Sequence, residues 1–180
     1  MKSGRLVSFL FACSVMSVVP LSTLAISQVA SALTLPAGWR LPNHNETDQA
    51  WRISNPNHYL VVHGDFNGDG LQDTALLLVR ADGSGFAPFV ALGRKDGKTG
   101  FVQRETTNQM YYLETEGLKL AQPGTYRTAC GKGYADCGPG EKDSVIISFD
   151  AIEFFKEGGP SRLIYWDAKR KSFAEVWTSD

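Results

Sequence analysis

Residues 65 to 73 read Asp-Phe-Asn-Gly-Asp-Gly-Leu-Gln-Asp, with Tyr59-Leu60-Val61-Val62 before them and Thr74-Ala75-Leu76-Leu77-Leu78-Val79 after. Short β-branched and aliphatic runs of this kind are strands, so the segment between them must reverse the chain as a hairpin loop. Asn, Asp and Gly suit that task because they tolerate left-handed backbone. A plain turn needs only about two or three such residues, whereas this loop also places Asp65, Asp69 and Asp73 close enough to repel one another. Counted from Asp65, oxygen-bearing side chains fall at the first, third, fifth and ninth positions, and Gly70 stands at the sixth, where a sharp turn is required. Hard divalent cations take oxygen ligands in this arrangement. The candidate calcium ligands are therefore Asp65, Asn67, Asp69 and Asp73, with the main-chain carbonyl of Leu71 at the seventh position.

The twelfth position, where a helix-flanked calcium loop carries a bidentate Glu, is Leu76, inside the second apolar run. The stretch Gly64-Asp65-Phe66-Asn67-Gly68-Asp69-Gly70-Leu71-Gln72-Asp73 followed by an apolar strand resembles the calcium loop of FG-GAP or VCBS type repeats. That resemblance implies a loop set in a β-hairpin and shaped by calcium through Asp65, Asn67, Asp69, Asp73 and the Leu71 carbonyl. It extends to the loop alone. Asp82-Gly83 and Asp96-Gly97 lack the partner acids, and a propeller of four or more four-stranded blades exceeds this length.

The chain opens with Lys2 and Arg5, continues with a broadly apolar stretch from Leu6 to Val19, and reaches Ala30-Ser31-Ala32, a small-x-small cleavage pattern. A signal peptide over 1–32 is expected, with a mature chain from Leu33 that is secreted or periplasmic. Leu10-Phe11-Ala12-Cys13 faintly resembles a lipoprotein cleavage box, which bulky Phe11 argues against. Serines and Pro20 interrupt the apolar stretch, so no transmembrane segment is expected in the mature chain. Without Lys2 and Arg5, sixteen cationic residues face nineteen acids, a net charge of −3, which provides no basic field for nucleic acid. Cys130 and Cys137 remain, and in an exported chain such a pair is expected to close a small disulfide loop. Zinc would require two more ligands, and the only histidines are His44, His58 and His63.

Residues 33–180 have the length of a single domain. A short helical segment capped by Asn43 or Asn45 is expected over 45–52. Strands are expected over Tyr59–Val62, Thr74–Arg80, Phe86–Leu92, Gly100–Glu105, Tyr111–Glu114, Ser144–Phe149 and Ile152–Phe155, followed by a hairpin pairing Leu163–Trp166 with Phe173–Trp177. Short connections favour antiparallel pairing, giving a mainly β fold: a compact antiparallel sheet or sandwich of hairpins. Tyr165, Trp166, Phe173 and Trp177 read chiefly as core and hairpin packing, with an aromatic sugar platform as the alternative.

His63 stands two residues before Asp65, without the nucleophile and orienting partner that catalysis requires. Asp150, Glu153, Glu157, Asp167 and Glu175 form no pair that linear spacing can define. The glycine-lysine stretches near 131–142 lack phosphate-loop spacing. The sequence therefore points to an exported β protein with a structural calcium loop, acting as a binding or envelope-associated module for a protein or glycan. A calcium-dependent hydrolase of glycan or cell-wall substrates and an inhibitor or immunity-type protein are the alternatives.

Overall fold

The computed structural model describes residues 33–55 and 57–180, so the expected signal peptide over 1–32 lies outside the described residues. The described residues are mainly β, with eleven strands among them: β1 Trp39–Arg40, β2 Val61–Gly64, β3 Asp73–Arg80, β4 Phe86–Gly93, β5 Thr99–Gln103, β6 Glu116–Ala121, β7 Gly124–Arg127, β8 Ser144–Ile147, β9 Ala151–Lys156, β10 Ser161–Asp167 and β11 Ser172–Ser179. All pairings are antiparallel. One sheet runs β1-β3-β4-β5 with β2 also on β3, a second runs β11-β10-β9-β6, and β7 and β8 form a separate ribbon. The Leu60 carbonyl accepts from Leu77 N–H on β3 and the Tyr59 carbonyl from Leu118 N–H on β6. These bonds carry one large sheet into the other, and the surface curls as half a barrel.

β3 is the centre of the first sheet, and its Ala75 to Val79 run is almost fully buried. Burial on both faces explains why that run is continuously apolar instead of alternating. Its cluster takes in Phe66, Phe86, Val90, Leu113, Leu118, Ile152, Ile164 and Phe173, so side chains from both large sheets share one core. A smaller cluster of Ala121, Ile147, Ala151 and Leu163 seats the β7-β8 ribbon on the other face of the second sheet.

Helix α1, His44–Thr47, carries the expected cap on Asn43, whose side chain accepts from Glu46 N–H while the Glu46 carboxylate accepts from Asn43 N–H. The segment after it braces the barrel through Arg52, a fully buried residue. Its guanidinium donates to the main-chain carbonyls of His58, Leu113 and Glu116, and burial pulls its pKa down to about 10.

The expected strand over Tyr111–Glu114 is instead a 3-10 turn, Met110–Glu114. Tyr112 N–H bonds back to Gln109 and Thr115 N–H to Tyr112, which turns Leu113 into the core and offers its carbonyl to Arg52. β1, β6 and β7 were not among the expected strands. The apolar run at 144–149 also ends as a strand at Ile147, leaving Phe149 and Asp150 at a corner before β9.

Candidate functional site

β2 and β3 pair in register down to Gly64 opposite Asp73, so the acidic loop closes a hairpin, as its sequence requires. Gly68 and Gly70 have φ of +73° and +80°, the left-handed region that favours glycine. The carboxylate of Asp65 organises the turn: Oδ1 accepts from Gly68 and Asp69 N–H at 2.8 and 3.1 Å, and Oδ2 from Gly70 N–H at 2.9 Å. Asn67 Oδ1 accepts from Asp69 N–H, Asn67 Nδ2 donates to Asp69 Oδ2, and Asp69 Oδ1 accepts from Leu71 N–H.

Asp73 is set apart by burial. It is fully enclosed, and its two oxygens accept from Phe66 N–H at 2.9 Å and Gly93 N–H at 2.8 Å, tying the loop to the end of β4. Burial raises its pKa, the two amide bonds oppose the rise, and the charges of Asp69 and Asp65 add to it. Asp73 therefore feels the charges of both loop carboxylates through space, the condition a bound cation would relieve.

An ionised carboxylate offers about four acceptor positions and an amide oxygen two. Counting the bonds above, Asp65, Asn67, Asp69 and Asp73 each retain at least one. By type and by remaining acceptor positions the donor set suits a hard cation. Among the described residues, no three His, Cys, Asp or Glu side chains come together in a way that could hold a metal ion, so Asp65, Asp69 and Asp73 do not converge on one point here. Calcium, if bound, would supply charge neutralisation and a fixed loop shape, and these residues would hold it.

Two further residues hold the loop, and neither was singled out for that role by the sequence. Asp150 Oδ2 accepts from Asp65 N–H at 3.1 Å and would lie 2.8 Å from a Cβ placed on Gly64. The Phe149 ring covers Gly68 so closely that a Cβ there would sit 2.3 Å from it. The corner before β9 is therefore moulded onto the loop. His63 Nδ1 lies 3.0 Å from Thr74 Oγ1, and burial lowers its pKa.

The second feature is an open groove of about 1390 Å³ beside the β10-β11 hairpin, whose walls include Tyr134, Ile146, Tyr165, Val176 and Trp177. The aromatic residues of the hairpin divide. Trp166 and Phe173 pair edge to face at 5.2 Å and join the core, whereas Trp177 is 52% exposed. Glu175, also on the groove wall, is held by Arg104 at 2.6 Å and by Arg162 at 3.3 Å. Asp167 accepts from Lys169 and Arg170 N–H. Cys130 and Cys137 form the expected disulfide, with Cα atoms 4.9 Å apart, and Cys130 lies on the rim of the groove.

No family model, curated protein or solved structure matches this chain. Among the described residues, no helix is long and apolar enough to cross a membrane.

Proposed function

We propose that this is an exported binding module in which a calcium ion, held by Asp65, Asn67, Asp69, Asp73 and the Leu71 carbonyl, acts structurally, and in which the groove beside β10-β11 receives a protein or glycan. The observation that carries the calcium reading is the buried Asp73 facing the charges of Asp65 and Asp69. An arrangement of three mutually repelling acids on one loop is stabilised by a cation and costs stability without one. Resemblance to the FG-GAP and VCBS calcium loops supports the same ligand set. The ion's task on this reading is mechanical: it stiffens a loop that contacts both β4, through Gly93, and the corner before β9, through Asp150 and Phe149. The exposed Trp177 and the open groove support binding as the activity. The disulfide fits an oxidising, exported setting.

Thermal unfolding with calcium and with chelator tests the metal. A ligand bound only by the native state stabilises it by RT ln(1 + [L]/Kd), about 2.7 kcal/mol at a hundredfold excess over Kd. Asp65→Ala and Asp69→Ala are expected to abolish the response, and Gln72→Ala to keep it. Equal melting temperatures in both conditions, with no calcium heat at millimolar concentration, would sink the site.

A further inference from the structure

Two strand edges border the groove, and along part of each the main-chain polar groups have no partner among the described residues. On β11, the Trp177 carbonyl accepts from Ala129 N–H at 2.8 Å, away from β10. Alternation along an antiparallel ladder then turns the N–H and C=O of Phe173 and Glu175 outward as well, and no hydrogen bond among the described residues satisfies them. On β8, Thr128 N–H bonds to the Asp143 carbonyl, one step beyond the Arg127 and Ser144 pair. That places the main-chain groups of Ser144 and Ile146 on the edge facing away from β7. Ile146, in the middle of this edge, is 75% exposed. An unpaired edge bearing an exposed apolar residue is the kind of feature that β proteins blunt unless it serves pairing.

Ser144, Ile146 and Glu175 all line the same groove. We propose that the groove accepts an extended peptide segment of a partner protein, which adds as a strand to the free edge of β11 and lies against the edge of β8. Regularly alternating donors and acceptors are what a peptide backbone supplies, and side-chain pockets then set preference. Trp177 and Val176 provide apolar contact on that wall. Charge selects among peptides: Asp136, Glu141 and Asp180 on the walls outnumber Lys142 and Lys169, while Asp167 is answered by Arg170. A peptide with net positive charge is favoured. The Ala129 to Trp177 bond closes one end of the slot, so the strand enters from the side of the β10-β11 turn. This proposal rests on the binding-module reading and names the partner's chemistry for the same groove.

The probe is a synthetic peptide of alternating Lys and Val, about eight residues long to exceed a typical strand, beside a counterpart N-methylated on alternate residues. Hydrogen exchange of the purified protein, followed residue by residue by NMR, is expected to slow at least tenfold at the Phe173 and Glu175 amides with the first peptide only. Ile146→Lys, at an exposed position that leaves the fold intact, is expected to weaken binding at least tenfold by placing a like charge in the slot. Equal binding of the N-methylated peptide would overturn strand addition, as would no binding at millimolar peptide to protein whose melting temperature is unchanged. Protection of the same amides that grows with protein concentration in the absence of peptide would assign the edge to a second copy and overturn a partner peptide. A soluble glycan that binds the groove while the peptide does not would overturn this inference and leave the binding module standing.

Discussion

Glu116 permits a quantitative test of how the half-barrel carries charge. It stands at the start of β6, with Oε2 buried and without a hydrogen-bond partner among the described residues. Burial pushes its pKa up from 4.5 to about 7, against the opposing pull of the Arg162 and Lys156 charges. Because the folded value lies above the unfolded one, the folded state prefers the protonated acid. Glu116 therefore leaves stability untouched below pH 4.5, costs stability progressively between about pH 4.5 and 7, and has its full cost above pH 7. At 1.36 kcal/mol per pH unit the full difference is about 3.4 kcal/mol, and solvent screening of a half-buried group reduces this to about 2 kcal/mol. Glu116→Gln keeps the shape and removes the titration. Urea unfolding at pH 4 and pH 8 should show the variant about equal to the parent at pH 4 and about 2 kcal/mol more stable relative to it at pH 8. A variant whose difference from the parent is the same at both pH values would refute the argument. It would mean that Arg162 and Lys156 already compensate the buried charge.

Gly68 and Gly70 share a left-handed backbone but differ in surroundings, since a Cβ meets Phe149 at Gly68 and open space at Gly70. Gly70→Ala should cost about 1 kcal/mol for the backbone alone, and Gly68→Ala clearly more in the same chemical denaturation series; equal costs would remove Phe149 from the account of the loop. Loss of the disulfide in Cys130→Ser with Cys137→Ser should lower stability by about 2 to 3 kcal/mol, the low end expected of a short loop, without altering the calcium-dependent shift in melting temperature. A lost calcium response in that variant would show that the rim of the groove and the acidic loop are coupled.

The hairpin that carries the acidic loop was legible because its turn residues are contiguous and the flanking apolar runs must pair. The same local logic covers the Asn43 cap, the β10-β11 hairpin and the disulfide between Cys130 and Cys137, each closed by neighbours in sequence. The 3-10 turn at Met110–Glu114 was not legible, since its two tyrosines and a leucine read as strand until Leu113 and its carbonyl are claimed by the core and by Arg52. β6 was obscured by Gly117 and Lys119, although pairing to β9 outweighs their weak strand preference. Arg52 itself gives no local sign that it will be buried, because its three carbonyl acceptors include two from residues about sixty positions away. Asp150 and Phe149 reach the loop from eighty or more positions on, and only the meeting of the two large sheets brings them there. Local spacing thus determined where the chain must turn and which oxygen-bearing side chains the turn carries. Tertiary structure decided which of those groups are desolvated, which charges face one another and which strand edges stay open, because burial and long-range pairing depend on every segment at once.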